Sequence, residues 1–211
     1  MTTLLLTAFE PFNGASSNAS MAVASQLCQE QPIAGVELHW SLLPVERYAC
    51  LDRLRQALAE VEPCMVLAMG LAASRDRISI ERIAINIDDF PIPDNAGNQV
   101  TDQPIISSGP LAYASTLPIK AMLASLQRAK IPAEISYSAG SYVCNHLFYG
   151  MQHLLATCDI RSGFIHLPPL EGKGLNLDTQ CRALKLMIEA GLTQPEDITL
   201  ENVGRIAGRT D

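Results

Sequence analysis

The chain has 211 residues, 48% hydrophobic and 18% charged, with a formal net charge of −7. That length and apolar content support a sizeable core and exclude a disordered chain, and residues 1–211 read as a single α/β domain. The negative balance, with Lys and Arg scattered along the chain, excludes non-specific binding to nucleic acid or to an acidic membrane, both of which need a basic face.

Residues 3–8 form a short apolar run, as a buried strand would. Phe9-Glu10-Pro11-Phe12-Asn13-Gly14 ends it, and a polar loop follows to Ser20. Met21, Ala24, Leu27 and Cys28 then recur at helical spacing, with Asn18 or Ser20 as N-cap. Val36–Leu43 reads as a second strand, Leu51, Leu54, Leu58 and Val61 as a helix stripe, and Cys64–Met69 as a central strand ending at Gly70. This β-α-β-α-β order is the signature of a layered α/β fold.

In the stretch 77–87, Ile83, Ile85 and Ile87 share one strand phase, and Glu81 falls on it. Either Glu81 is buried and needs a partner, or a bulge after Ile80 slips the register and leaves it in solvent. Asp88–Pro110 is rich in proline and turns, a long connection of the kind that serves function or an interface. Leu117–Leu126 resumes as helix and Ala133–Tyr137 as strand. Gly140 breaks the chain before a helix carrying Leu147, Phe148, Met151, Leu154 and Leu155. Gly163–Leu167 is a strand ended by Pro168-Pro169, Thr179–Ala190 is a helix, and 193–211 is a polar tail expected to form a small appendage.

No apolar run approaches the ~20 residues a membrane-crossing helix needs. Leu4-Leu5-Leu6, with no basic stretch before it and Glu10 soon after, does not read as a secretory signal. The 6 cysteines include no CxxC pair, which excludes zinc-ribbon and thioredoxin motifs. A chain this long needs no disulfide framework, so free thiols in a reducing cytoplasm are expected.

Cys144 stands near the start of the helix after Gly140. Free N–H groups and the helix dipole there favour a thiolate, so the residue is either a nucleophile or a small buried apolar side chain. His146, two residues on, points away from it on a helix and reads as structural. His146 and His153 share a helix face but have no third ligand of suitable spacing, and His39 is a mid-strand residue. His166 ends an apolar strand, where open α/β sheets place their sites, or it is a strand-end histidine satisfied by backbone. If Cys144, His166 and Glu81 converge, they form a nucleophile, base and orienter. No GxGxxG, Walker A or GxSxG motif is present.

The chain resembles pyroglutamyl peptidase type I, a cysteine peptidase family. The likeness lies in Thr7-Ala8-Phe9-Glu10-Pro11-Phe12, in Glu81-Arg82-Ile83-Ala84-Ile85-Asn86 with Ile92-Pro93-Asp94-Asn95, in Ser115-Thr116-Leu117-Pro118-Ile119-Lys120, and in Ala139-Gly140-Ser141-Tyr142-Val143-Cys144-Asn145-His146 with Gly163-Phe164-Ile165-His166. The resemblance implies a Cys144-His166-Glu81 triad acting on N-terminal pyroglutamyl peptides. It implies a three-layer α/β/α sandwich with a central mixed sheet, like the nucleoside phosphorylases. It also implies a cytoplasmic homo-oligomer, tetramer or dimer, needing no metal or organic cofactor. By family position Phe9, Phe12, Ile92, Tyr142 and Val143 line the pyroglutamyl pocket, with Asn18 shaping the N-terminal loop. Two positions depart from the family pattern: Leu71 stands where Gln is usual and Pro91 where Arg is usual, and Phe12-Asn13-Gly14 replaces a Phe-Gly-Gly run. Leu71 keeps its backbone groups for recognition, whereas Pro91 offers no donor. These departures leave a second reading open: a non-catalytic or specificity-shifted relative that binds or cleaves another small lactam or amide.

Overall fold

The computed structural model describes residues 2–194 and 196–198. In chain order its elements are β1 (Thr2–Phe9), α1 (Ala19–Glu30), β2 (Val36–Leu43), α2 (Ala49–Val61), β3 (Met65–Leu71), β4 (Ile78–Glu81), β5 (Ile83–Ile85), β6 (Ala112–Ala114), α3 (Ile119–Arg128), β7 (Ala133–Ser136), α4 (Val143–Leu155), β8 (Arg161–Leu167) and α5 (Leu177–Thr193). Six strands form the main sheet in the order β2-β1-β3-β8-β4-β7, and β5 pairs with β6 in a separate ribbon. The pairs β2-β1, β1-β3, β3-β8 and β4-β7 are parallel, while β4 runs antiparallel to β8. The sheet is therefore mixed, as the resemblance implied.

Strand parity sorts the core into two layers. Leu4, Leu6, Met65, Leu67, Ile165, Ile78 and Ile80 face α1, α3 and α5. Leu5, Phe9, Val66, Ala68 and Phe164 face α2 and α4. β1, β3 and β8 lie inside the sheet and are apolar almost throughout, because both of their faces are covered. β2 lies at the edge and alternates between buried and exposed residues.

The reading of 77–87 as one strand phase does not hold. The chain leaves the main sheet at Arg82, whose N–H donates to the Ser136 carbonyl and whose carbonyl accepts from Ser115 N–H. β4 thus belongs to the sheet and β5 to the ribbon, and Ile85 is exposed. Glu81 is nevertheless fully buried, so the solvated alternative is also excluded. β6 had no counterpart in the sequence pattern. The polar tail over 193–211 lies almost wholly outside the described residues, although Asp197 accepts the N–H groups of Lys120 and Ala121 at the start of α3.

Candidate active site

Two neighbouring strands carry the first pair of groups. In the antiparallel β4-β8 ladder Ser79 lies opposite His166 and Glu81 opposite Phe164, so Glu81 and His166 are diagonal neighbours on the α2/α4 face. His166 Nδ1 and Glu81 Oε1 are 2.7 Å apart, with the carboxylate fully buried and the imidazole nearly so. An ionised carboxylate only accepts, so Nδ1 carries the proton and Nε2 presents its lone pair. Nε2 has no hydrogen-bond partner among the described residues. Arg75, from the β3–β4 connection, donates through NH1 to the same Oε1 at 2.7 Å and through NH2 to the Ser138 carbonyl at 3.1 Å.

The thiol arrives from the helix layer. Gly140 takes φ +81, a left-handed conformation that glycine adopts without strain, and α4 begins three residues later. Cys144 is the second residue of that helix, and Tyr142 at the N-cap makes no side-chain cap bond. The N–H groups of Val143, Cys144 and Asn145 bond no acceptor among the described residues. They form a donor set at a positive helix end. A Cβ built on Gly70 would lie 2.9 Å from Cys144 Sγ and 2.9 Å from Phe164 Cζ. Gly70 pairs with His166 across β3 and β8, so the thiol sits over the strand position beside the imidazole.

Helix position alone predicts a lowered thiol, and here burial wins. Desolvation pushes Cys144 up to about 12; the Glu81 carboxylate adds to the rise and the Arg75 guanidinium opposes it. Burial thus works in favour of the neutral thiol, although the residue as a whole is only partly buried.

At Cys144 opens a narrow cleft lined, besides the thiol, by Phe9, Phe12, Asn18, Val45, Leu71, Tyr142 and Val143. Of the pocket residues implied by resemblance, Ile92 alone does not line it. Val45, which the sequence did not single out, does. Asn18 caps α1: its Oδ1 accepts from Ser20 N–H and Oγ, and its Nδ2 donates to the Glu10 carbonyl. Tyr142 donates its hydroxyl to the Pro93 carbonyl, and its ring meets Phe90 edge-on at 4.8 Å. Apart from the Cys144 thiol, the polar side chains of the wall, Asn18 and Tyr142, are bonded elsewhere, which makes Leu71 and its neighbours an apolar cradle. Glu10 ties the loops around it, accepting from Val45 N–H at 3.2 Å and Asn95 Nδ2 at 2.8 Å. Pro91 is exposed.

The other histidines hold structure. His146 Nδ1 pairs with Asp88 Oδ2 at 2.8 Å, and the same oxygen accepts from Arg47 Nε at 2.7 Å. Asn145 clasps the backbone of Ile85 and Ile87, so the start of α4 is braced against the arm after β5. His153 bonds the Tyr113 hydroxyl at 2.8 Å, and His39 pairs with Glu37 at the surface. Among the described residues no His, Cys, Asp and Glu group is arranged to hold a metal ion.

Arg75 is the site residue the sequence concealed. Nothing in the local pattern marks it, and Asp76 and Arg77 beside it pair with each other at the surface. Gly70 carries a prediction. Gly70→Ala places a methyl against the thiol and Phe164, and a displacement of about 1 Å in a reacting group can cost ~10²-fold. The kcat/KM of the variant will fall by about 10- to 100-fold while its circular dichroism stays that of the parent; unchanged turnover would show that the thiol has room to spare.

The family model described as pyroglutamyl peptidase matches residues 2–193. A pyrrolidone-carboxylate peptidase of Vibrio vulnificus (strain YJ016) is 45% identical over 204 residues, covering 93% of this chain and 96% of its own length. One from Chromobacterium violaceum is 45% identical over 205 residues, with the same coverage of 93% and 96%. Among solved structures, pyroglutamyl peptidase I from Bacillus amyloliquefaciens is similar with a TM-score of 0.89 and 35% identity, over 94% of this chain and 98% of that one.

Proposed function

The chain belongs to the pyroglutamyl peptidase family of cysteine peptidases, and on that premise we propose that Cys144 is its nucleophile, His166 its general base and acid, and Glu81 the group that orients the imidazole. The reaction is removal of an N-terminal pyroglutamyl residue from peptides. The observation that carries the assignment is the 2.7 Å bond between Glu81 and His166 Nδ1, which leaves Nε2 unbonded on the sheet face where Cys144 stands.

In the first half-reaction Cys144 Sγ attacks the carbonyl carbon linking the pyroglutamyl group to the next residue, and the thiol proton passes to His166 Nε2. Burial raises the thiol, so His166 serves as the base that takes its proton for attack. The S–C bond forms and the carbonyl oxygen takes the negative charge, facing the N–H groups at the start of α4. Collapse breaks the C–N bond, and His166 returns its proton to the leaving amine. Water then attacks the thioester, giving a proton to His166, and the C–S bond breaks to release pyroglutamate as His166 returns that proton to the Cys144 sulfur. Through both steps Glu81 balances the imidazolium.

The lactam ring lies in the cavity between Phe9, Phe12 and Tyr142, its flat faces against aromatic walls. Leu71 meets it with an apolar side chain, so the lactam N–H and C=O are left to backbone groups. The six free cysteines fit a cytoplasmic enzyme, and the exposed Leu111, Tyr137 and Tyr48 fit a homo-oligomer. The net charge of −7 fits neither nucleic acid nor an acidic membrane as partner.

The test is hydrolysis of a fluorogenic pyroglutamyl amide by the pure, reduced protein, with prolyl and glutamyl amides beside it. Turnover confined to the pyroglutamyl amide is expected. No turnover, or a preference for another acyl group, would overturn the assignment.

A further inference from the structure

Glu81 is held at one oxygen. Oε1 accepts from both His166 Nδ1 and Arg75 NH1 at 2.7 Å, while Oε2 is buried with no hydrogen-bond partner. The carboxylate is fully buried on strand β4, so its solvation comes from these two donors alone. Of the two, only Arg75 carries a fixed positive charge, since His166 is neutral when it serves as a base. A buried carboxylate stripped of its cation takes up a proton more readily, and a carboxylic acid neither holds an imidazole in the Nδ1–H form reliably nor balances an imidazolium. Arg75 is itself anchored. Its second arm bonds the Ser138 carbonyl in the turn after β7, and its side chain is about a quarter exposed (26%).

We propose that Arg75 is a positioning residue for the peptidase reaction, holding Glu81 ionised and turned toward His166, so that the imidazole keeps its Nδ1 proton and offers Nε2 to the Cys144 thiol. The inference rests on the triad assignment above and adds a fourth member that never touches substrate. The charged and titratable groups around Glu81 bear this out. From β8 there is His166, and from α4 the Cys144 thiol. From β7 there is Glu134, which accepts from Ser79 Oγ two positions before Glu81 on β4. Arg82, next in sequence, turns its guanidinium over the Tyr137 ring, 5.3 Å from its centroid, and its Nε has no hydrogen-bond partner. Arg75 is therefore the one cation bonded to the Glu81 carboxylate among the described residues. The same guanidinium opposes the rise of the Cys144 thiol, so its removal handicaps nucleophile and base together.

The experiment compares Arg75→Met and Arg75→Lys with the parent in two readouts. In the first, kcat/KM for a pyroglutamyl amide is followed against pH. Arg75→Met is expected to lose about 10- to 100-fold at pH 6 and to recover part of it by pH 8, its acid limb moved upward by about one unit or more. Arg75→Lys keeps the charge and will restore most of the acid limb. In the second, ¹⁵N-histidine spectra in a Cys144→Ala background report the His166 tautomer: Nδ1–H with Arg75 in place, and a mixture with Met. This second readout needs no turnover, so it tests the inference even if the substrate assignment fails. An Arg75→Met enzyme with the parent's acid limb and tautomer would overturn the proposal. So would equal impairment of Met and Lys variants accompanied only by a lower melting temperature, because that pattern is what a purely structural Ser138 tether predicts.

Discussion

Cys144→Ala will bring the release of amine from a pyroglutamyl amide close to the uncatalysed rate, a fall of about 10⁴-fold or more in kcat. The size of the effect follows from what the cavity lacks. Its wall is Phe9, Phe12, Val45, Leu71, Tyr142, Val143 and Asn18; the amide of Asn18 is spent on the α1 cap and the Tyr142 hydroxyl on Pro93. No second nucleophile can step in. Cys50 and Cys181 are buried, Cys28 lies on α1 across the sheet from Cys144, and Cys64 and Cys158 precede β3 and β8, at the opposite ends of those strands from Leu71 and His166. The helix-end donors survive the substitution and account for whatever rate remains. Losing one sulfur from a partly buried site costs about 1 kcal/mol, so the variant will fold, as circular dichroism and a melting curve will show. Retention of more than about a hundredth of the parental kcat would remove Cys144 from the chemistry.

Glu81→Gln is the subtler experiment. The amide is isosteric, and its carbonyl oxygen takes the place of Oε1, accepting from both Arg75 and His166 Nδ1, with the NH₂ at the unpartnered Oε2 position. The imidazole keeps its Nδ1 proton, but no negative charge balances the imidazolium that forms as the thiol gives up its proton. Loss of an opposite charge at this distance shifts a titrating group by about 1–3 units, so a fall of about 10- to 1000-fold in kcat is expected. KM will change little, because Glu81 lies under the sheet face and does not line the cavity. Steady-state kcat and KM on the pyroglutamyl amide separate the two terms. A loss of less than about tenfold, or one confined to KM, would mean that Glu81 is a packing residue.

The layered fold was legible because β1, β3 and β8 are apolar runs and the intervening helices have one clean stripe each. The candidate site was legible in part. Cys144 and His166 announced themselves by standing at element ends, whereas Glu81 was singled out through an isoleucine phase that the fold does not use. Its burial comes from β4 lying inside the sheet, a matter of strand order that no local pattern reports. Arg75 was hidden for the same reason: its partner is set by which strand lies next to β8. The thiol's surroundings were legible only in part, because the helix end is visible in sequence and the close approach of Phe164 and Gly70 is not. β6 is too short to carry a period. Ile92 was placed by position in a motif, and its backbone neighbours rather than its side chain contribute to the pocket, through the Pro93 carbonyl that holds Tyr142.

Glu81 and His166 are bound together across two strands of the sheet, while Phe12, Val45 and Tyr142 come from the segments beside it and Leu71 from the very end of β3. Proton handling and ring recognition therefore rest on different mechanical parts. The first part tolerates almost no exchange of residues, since both members are buried and cross-bonded; the second is built from side chains whose neighbours are loops. Substitutions at positions such as Phe12 and Val45 can accumulate in this second part and retune which small acyl group is accepted, while the hydrolytic step beneath is inherited unaltered. The fold separates the part of the enzyme that is free to diversify from the part that is not.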